Sequence, residues 1–252
     1  MTLLSAENLT VRYGGFTALS GVSFSLEAGE WMMLIGPNGS GKTTLAKAVT
    51  GALPYEGTIR IAGRDLSKFS AKELASRIGI LSQHHELTYA FRAEEVVRLG
   101  RYAHRSLFGA GDPDGRRKIE EAMEICGVRQ FADKTLLSLS GGELQRVFLA
   151  QLFAQDPSIL LLDDPTNHLD PLYQKQIFDL IREWVSCGSR AVLSIVHDLS
   201  IARAYGTCGL LISAGRTVAK GGPEDVFASA PLAASYGMDV AGWFRSLADV
   251  WM

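Results

Sequence analysis

The chain has 252 residues, of which 47% are hydrophobic and 21% charged, as is ordinary for a globular protein with one large α/β domain or a core with a smaller insert. Its net charge of −2 and pI near 6.2 exclude a global attraction to nucleic acid or anionic lipid, so any phosphate chemistry must come from a local site. Three scattered cysteines form no C-x-x-C pair, no apolar run approaches the roughly 20 residues of a membrane span, and the N-terminus MTLLSAENLT does not resemble a signal peptide. We therefore expect a soluble cytoplasmic chain with reduced thiols, which leaves a membrane partner possible.

The first part of the chain predicts strands, a loop and a helix in quick succession. LLSAENLTVRY and ALSGVSFSLEAGE, separated by Gly14 and Gly15, are typical of antiparallel strands. WMMLIG at 31–36 predicts an apolar strand, and KTTLAKAVTG after the Gly-rich loop predicts a helix closed by Gly51. GTIRIAGRDL then predicts a hairpin, and a further strand is expected at 78–82.

Residues 86–155 have helical periodicity, which predicts an inserted helical subdomain. From residue 157 the α/β alternation resumes: SILLLDD predicts a strand, and PLYQKQIFDLIREWVSCG a helix with Asp170 as N-cap, Pro171 in its first turn and Gly188 at its end. RAVLSIVHD, DLSIARAY and CGLLISAGRTVAKGG predict a strand, a short helix and a final hairpin. Strands of uninterrupted Leu, Ile and Val are typical of a parallel sheet covered on both faces.

A phosphate-binding loop is indicated by GPNGSGKT, because it fits G-x-x-x-x-G-K-[ST] between a predicted strand and a predicted helix. Glycines let successive N–H groups face phosphate oxygens, and the helix N-terminus adds a favourable dipole. Lys42 is expected to reach the β- and γ-phosphates, and the Thr43 hydroxyl to hold Mg²⁺. The nucleotide-binding residues we predict here are Gly36, Pro37, Asn38, Gly39, Ser40, Gly41, Lys42, Thr43 and Thr44. The alternative is a Gly-rich turn with a chance lysine.

Two adjacent acids, Asp163 and Asp164, end the apolar run ILLLDD. A carboxylate at the end of a strand downstream of a phosphate loop is the expected partner for Mg²⁺. Because consecutive residues of an extended strand face opposite sides, the two acids are predicted to have two roles rather than one. The alternative is that they cap the following helix and carry no chemistry.

A third motif, LSGGELQR at 139–146, precedes this strand. Ser140 and Glu143 form a predicted capping box that starts a helix. Gly141 and Gly142 in the first turn cost helix stability, on the order of 1 kcal/mol each relative to alanine. We therefore expect the backbone there to lie close to another group, and the exposed amides suit an anion.

With these motifs the chain closely resembles the nucleotide-binding subunits of ABC transporters over nearly its whole length. LSGGELQR resembles the family's signature motif, GPNGSGKT its Walker A, ILLLDDPT its Walker B, and NHLD at 167–170 its D-loop. Gln83 matches the Q-loop and His197 the switch histidine, and Tyr13 stands where the family stacks an aromatic ring on adenine. Tyr13 could instead be a half-buried strand aromatic.

The resemblance implies a RecA-like P-loop NTPase core with an N-terminal antiparallel β-subdomain and an inserted helical subdomain. It assigns 1–85 and 156–222 to the core and β-subdomain, 86–155 to the helical subdomain and 223–252 to a C-terminal tail. It also implies a head-to-tail homodimer that clamps two ATP molecules between the Walker A of one chain and the signature of the other, since each chain has one copy of each motif. Further implied partners are integral membrane permease subunits and, indirectly, a solute-binding protein, but no nucleic acid.

The resemblance also implies a role for each matched residue. Lys42 and the loop amides bind phosphates, while Thr43, Gln83 and Asp163 organise Mg²⁺. Residues Ser140, Gly141, Gly142 and Glu143 belong to the signature that meets the partner's ATP, and Ser140 and Gly142 are the two expected to touch its γ-phosphate. His197 hydrogen-bonds the γ-phosphate and, with Asp164 and Gln83, completes the predicted catalytic set.

Asp164 departs from the family, which usually has glutamate here. Aspartate is shorter by one methylene, about 1.5 Å of bond length. A misplacement of ~1 Å can cost on the order of 10²-fold in rate, so hydrolysis slower than in glutamate-bearing relatives is expected. The other histidines show no metal-ligand spacing and are interpreted as surface or interface residues; they are His84, His85, His104 and His168.

The stretch HHELTYAFRAEEVVRLGRYAHRSLFG and the tail GGPEDVFASAPLAASYGMDV resemble the ATPases of importers for iron–siderophore, haem and cobalamin. This favours a subunit that powers such an importer from the inner face of the cell membrane. Two alternatives stay open: the ATPase of another ABC transport system, and a soluble ABC protein of DNA repair or translation. The second is disfavoured because the chain has no second nucleotide domain, no long coiled-coil insertion and no basic face.

Overall fold

A computed structural model describes residues 1–82, 90–104, 112–167 and 169–250. The chain divides into two compact units, Met1–Ser67 with Ile195–Met252 (unit 1) and Lys68–Ser194 (unit 2), which are described separately. The subdivision by role that the sequence suggested stays a prediction. In the described ranges, no helix combines the length and the apolar character that crossing a bilayer requires.

The elements follow the alternation expected from the sequence. The strands are β1 (Thr2–Tyr13), β2 (Phe16–Glu27), β3 (Trp31–Ile35), β4 (Glu56–Ile61), β5 (Arg64–Asp65), β6 (Ile78–Leu81), β7 (Ile159–Asp163), β8 (Ala191–Ile195), β9 (Cys208–Ser213) and β10 (Arg216–Gly221). The helices are α1 (Lys42–Val49), α2 (Ala71–Ala75), α3 (Ala93–Leu99), α4 (Gly115–Ile125), α5 (Gly141–Gln155), α6 (Pro171–Ser186), α7 (Leu199–Tyr205), α8 (Pro223–Val226), α9 (Ser229–Tyr236) and α10 (Val240–Ala248).

Unit 1 contains an antiparallel sheet in the order β2-β1-β4-β5, as predicted for the N-terminal runs and the first hairpin. It also contains β3 paired parallel to β9, and β9 paired antiparallel to β10 in the predicted final hairpin. All five residues of β3 are buried, which explains its unbroken apolar sequence, and Trp31 is among the largest fully buried side chains.

Unit 2 contains parallel strands β6 and β7 and the predicted helical segment. Helices α3, α4 and α5 pack on one another, with Val147, Leu149 and Ala150 of α5 fully buried. Asp170 caps α6 by accepting a hydrogen bond from Tyr173 N, with Pro171 as the first helical residue, as predicted.

The mixed α/β class predicted from the sequence is therefore confirmed, together with the strands and longer helices. Sequence reasoning missed the short helix α2 and the division of the C-terminal tail into α8, α9 and α10. These helices are only four to nine residues long, and so have little periodicity to recognise.

In unit 2, a buried ion pair joins Arg101, which lies just after helix α3, to Asp112. The Arg101 guanidinium donates Nε to Asp112 Oδ2 at 2.6 Å and Nη2 to Oδ1 at 3.0 Å, and both side chains are at most 12% exposed. Arg101 Nη1 also donates to the Ala154 carbonyl at the end of α5, at 2.9 Å. Hydrogen bonds from Arg101 hold the pKa of the Asp112 carboxyl below its usual range.

We predict that Asp112→Ala lowers the free energy of unfolding by about 3–5 kcal/mol at neutral pH, because it leaves the Arg101 charge buried and unpaired. Since the folded-state pKa of Asp112 is lowered, its contribution is present above the unfolded pKa, about 4, and is lost as the pH falls through the folded value. Urea unfolding should show the wild type and the variant converging in acid. Asp133→Ala removes an exposed carboxylate from Arg92 and serves as the matched control, with little change expected. Equal losses in the two variants would contradict this account.

Candidate functional site

The predicted phosphate loop lies between β3 and α1 in unit 1. Gly41 is the N-cap of α1 with φ of 108°, and Leu45 N donates to its carbonyl. The buried Lys42 ammonium turns back along the loop and donates to the carbonyls of Gly36 at 2.7 Å and Pro37 at 2.9 Å. The loop is thus closed around its own lysine, which holds a positive charge at the N-terminus of a helix.

Gly36 is required at the start of this loop by a close backbone approach. Its φ is 147°, and a Cβ there would lie 2.0 Å from the Ile212 carbonyl oxygen of β9 and 2.9 Å from Ser40 Oγ. Ser40 Oγ is itself buried and has no hydrogen-bond partner among the described residues. A buried hydroxyl without a partner costs about 1–3 kcal/mol, so this position favours an incoming polar ligand.

The remaining loop residues are more open. Asn38, Gly39 and Thr43 are exposed, while Pro37 and Thr44 are half-buried. The exposed side chains of Asn38 and Thr43 are therefore accessible to a ligand that approaches the N-terminus of α1.

An exposed aromatic pair lies at the end of β1. Tyr13 is 48% exposed and is paired across the strands with Phe16, which is 65% exposed. The sequence reasoning named Tyr13 and missed Phe16, although the two-residue turn between them made their pairing predictable. Either ring is accessible for stacking on a flat ligand.

His197 is exposed and lies two residues before α7 in unit 1. The neighbouring Asp198 caps this helix, accepting hydrogen bonds from Ser200 N at 2.8 Å and Ile201 N at 3.1 Å. The cap fixes the backbone that follows His197 while its imidazole stays accessible.

The two adjacent acids lie in unit 2, and one expectation about them is wrong. β7 ends at Asp163, so Asp164 is not a strand residue; its φ is 51°, in the left-handed region. It begins a turn in which Asn167 N donates to the Asp164 carbonyl at 3.2 Å. The two carboxylates are therefore separated by a change of backbone conformation, not by strand alternation. That they have two roles stays a prediction.

The predicted capping box at the start of α5 is confirmed. Glu143 N and Ser140 Oγ are 3.4 Å apart, and Ser140 N donates to Glu143 Oε2 at 2.8 Å. The hydrogen bond from the Ser140 amide, with that from its hydroxyl, lowers the pKa of the Glu143 carboxyl. Ser140 and Gly141 are exposed, so the N-terminus of this helix lies at the surface of unit 2.

The sequence predicted that the backbone at Gly141 and Gly142 lies close to another group, and the structure shows a close neighbour within the chain at Gly142 but not at Gly141. A Cβ at Gly142 would lie 2.5 Å from the Tyr173 ring, so within the chain its close neighbour is a side chain of α6. A Cβ at Gly141 would meet nothing closer than Leu169 Cδ2 at 3.7 Å, an ordinary contact. Packing within the chain thus explains Gly142, whereas it gives Gly141 no reason to be glycine.

Several predicted residues lie outside the described ranges, namely Gln83, His84, His85 and His168. The half-buried His104 contacts the Gln155 carbonyl through Nε2 at 2.7 Å. Across the described ranges, no three His, Cys, Asp or Glu side chains are grouped as a metal site.

Residues 19–167, more than half of the chain, match the ABC transporter family. The chain is 41% identical over 239 residues to the uncharacterized ABC transporter ATP-binding protein YvrA of Bacillus subtilis, covering 94% of this chain but only 54% of YvrA. It thus spans about half the length of that relative. It is also 41% identical to the hemin import ATP-binding protein HmuV of Streptomyces coelicolor, covering 94% of this chain and 84% of HmuV.

Two solved structures extend the similarity. An ATP-binding cassette of an ABC transporter in its ADP conformation has a TM-score of 0.83 at 25% identity, covering 94% of this chain and 98% of that one. A dimeric cassette in a post-hydrolysis state, bound to ADP and Pi, has a TM-score of 0.74 at 26% identity, covering 88% and 99%.

We predict opposite effects of alanine at the two signature glycines. Gly142→Ala should lower the free energy of unfolding by about 1–3 kcal/mol, because the new methyl group overlaps the Tyr173 ring. Gly141→Ala should leave it unchanged or raise it by up to about 1 kcal/mol through helix propensity. Urea unfolding of both variants tests this, and a larger loss at Gly141 would refute it.

Proposed function

The chain belongs to the ABC transporter family, and from this premise we propose that it is the ATP-binding and hydrolysing subunit of an importer for haem or a related iron chelate, iron–siderophore or cobalamin. The observation that carries the nucleotide part is the phosphate loop, closed by Lys42 at the N-terminus of α1. The solute class is supported by the relative that is named as a hemin import protein.

The donors available fit ATP with Mg²⁺. The loop offers a lysine ammonium, a buried unsatisfied hydroxyl at Ser40 and an exposed hydroxyl at Thr43. Hydroxyl and carboxylate oxygens are hard ligands of the kind that Mg²⁺ prefers, so Thr43 and Asp163 would hold the ion, with Gln83 contributing through water. When bound, the ion neutralises phosphate charge and orients the transferred group.

The residues of the chain then have separate tasks. Lys42 and the loop amides hold the β- and γ-phosphates, and Tyr13 stacks on adenine. Asp164 orients the attacking water, and His197 donates a hydrogen bond to the γ-phosphate from its exposed position before α7.

A homodimer completes each site. The exposed N-terminus of α5, with Ser140 and Gly141, would meet the γ-phosphate of ATP held by the partner's phosphate loop. One patch used twice satisfies two-fold symmetry, and a similar cassette is known as a dimer with ADP and Pi.

A groove on unit 2 suits a helix of the permease. It has a volume of about 400 Å³ and offers exposed apolar side chains, Leu99 at 51% and Tyr102 at 73%. Charges of both signs surround them, on Arg92, Glu94, Glu95, Arg98 and Asp133. An amphipathic segment on the cytoplasmic side of a membrane subunit fits this combination.

We predict that Asp164→Glu raises the turnover number for ATP by up to about 10²-fold, because the longer side chain restores the reach of the catalytic carboxylate. The gain is opposed by the left-handed backbone at this position, which disfavours glutamate more than aspartate. Steady-state phosphate release measures the rate. Asp164→Asn, which removes the charge, should bind MgATP normally and hydrolyse it much more slowly. An unchanged or lower rate for Asp164→Glu counts against the proposed role.

In vesicles that contain the permease and the chain, with the solute-binding protein, ATP should drive uptake of haem, a ferric siderophore or cobalamin. If the vesicles take up none of the three solutes, the proposed solute class is wrong.

We predict that Leu99→Ala with Tyr102→Ala weakens co-purification with the permease and reduces uptake, because the groove loses its apolar contacts. Ile125→Ala removes a similarly exposed side chain of unit 2 outside the groove, and should behave as the wild type.

A further inference from the structure

The signature segment (139–146) and the turn 164–167 are joined by one side-chain hydrogen bond in unit 2. Gln145 Nε2, in the second turn of α5, donates to the Pro165 carbonyl at 2.6 Å. Pro165 directly follows Asp164, whose own carbonyl accepts from Asn167 N. The Asp164 carbonyl is therefore held by a donor within the turn, and the Pro165 carbonyl is held by a donor on helix α5.

Packing beside this hydrogen bond is tight. The Tyr173 ring, in the first turn of α6, lies directly against Gly142. The Arg146 guanidinium lies 5.8 Å from the centre of the same ring and 6.0 Å from that of Phe131, and its Nε is buried without a hydrogen-bond partner among the described residues. Because close-packed groups cannot move independently, the first turns of α5 and α6 form one block.

The left-handed conformation of Asp164 needs support from its surroundings. A non-glycine residue in this region costs on the order of 1 kcal/mol or more, and it persists where neighbouring contacts determine it. Gln145 holds the carbonyl of Pro165, the residue directly after Asp164. A shift of Gln145 would therefore move this carbonyl and rotate the backbone of the turn, and the Asp164 side chain would change direction with it.

We propose that Gln145 is a positioning residue for ATP hydrolysis: it holds the Pro165 carbonyl and thereby makes the placement of Asp164 depend on the signature helix. This rests on the proposed function. Ser140, at the start of the same helix, lies five residues away, roughly 7 Å along the axis. In the dimer, contact of that end with the partner's ATP is therefore transmitted to the acid that serves the chain's own ATP.

The test compares Gln145→Glu, Gln145→Lys and Gln174→Glu with the wild type, in the ATPase–permease complex. Glutamate preserves size but its carboxylate cannot donate, whereas lysine keeps a donor. Gln174 is the matched control, since its Nε2 donates to the carbonyl of Leu169, five residues beyond Asp164. Measurements are kcat, KM for MgATP, the Hill coefficient of hydrolysis, and fluorescent-ATP affinity, with thermal unfolding to show that each variant is folded.

We expect Gln145→Glu to lower kcat by about 10²-fold with unchanged ATP affinity and a reduced Hill coefficient, since only the placement of Asp164 and its link to the partner site are lost. Gln145→Lys should recover part of kcat, and Gln174→Glu should match the wild type. Wild-type kcat in a folded Gln145→Glu protein, or equal losses at Gln145 and Gln174, would overturn the inference while the proposed function stands. A wild-type complex that hydrolyses no ATP would instead overturn the proposed function.

Discussion

The hydrogen bonds from Lys42 to the carbonyls of Gly36 and Pro37 are the contact on which the nucleotide site depends. They turn these two carbonyls toward the ammonium and so hold the loop in a curve around its lysine. The approach of Gly36 to Ile212 sets where this curvature begins. One lysine therefore shapes the loop and supplies its charge, and the proposed phosphate recognition rests on the same residue.

Much of this arrangement could be predicted from local sequence. The apolar β3, the glycine-rich loop, the capping box at Ser140 and the Asp170 cap are each encoded within a few residues, and periodicity was sufficient for the long helices. The family resemblance, carried by ordered motifs, added the roles that no local pattern could supply. Those roles for individual site residues, unlike the fold, stay predictions.

The rest could not be predicted because it depends on contacts between distant residues. The ring that requires Gly142 belongs to Tyr173, and the acceptor of Gln145 lies 20 residues away. The apolar run ILLLDD suggested a strand through Asp164, since period-2 patterns do not show where a chain leaves the extended conformation. The left-handed residue is supported in part by contacts that are distant in sequence, such as the hydrogen bond from Gln145 of α5 to the Pro165 carbonyl.

That backbone gives a physical reason for the one departure from the family pattern. Aspartate is several-fold enriched in the left-handed region, because its short polar side chain can hydrogen-bond locally, whereas glutamate gains no such compensation. At Asp164, conformational tolerance therefore favours the shorter acid, while reach toward a phosphate favours the longer one. The hydrogen bond from Gln145 and the packing of Tyr173 stabilise the turn. These contacts therefore help to determine where the short carboxylate of Asp164 is placed. If Asp164 is the catalytic acid, as proposed above, the catalytic rate of this subunit depends on the packing of α5 against the turn as much as on the acid itself.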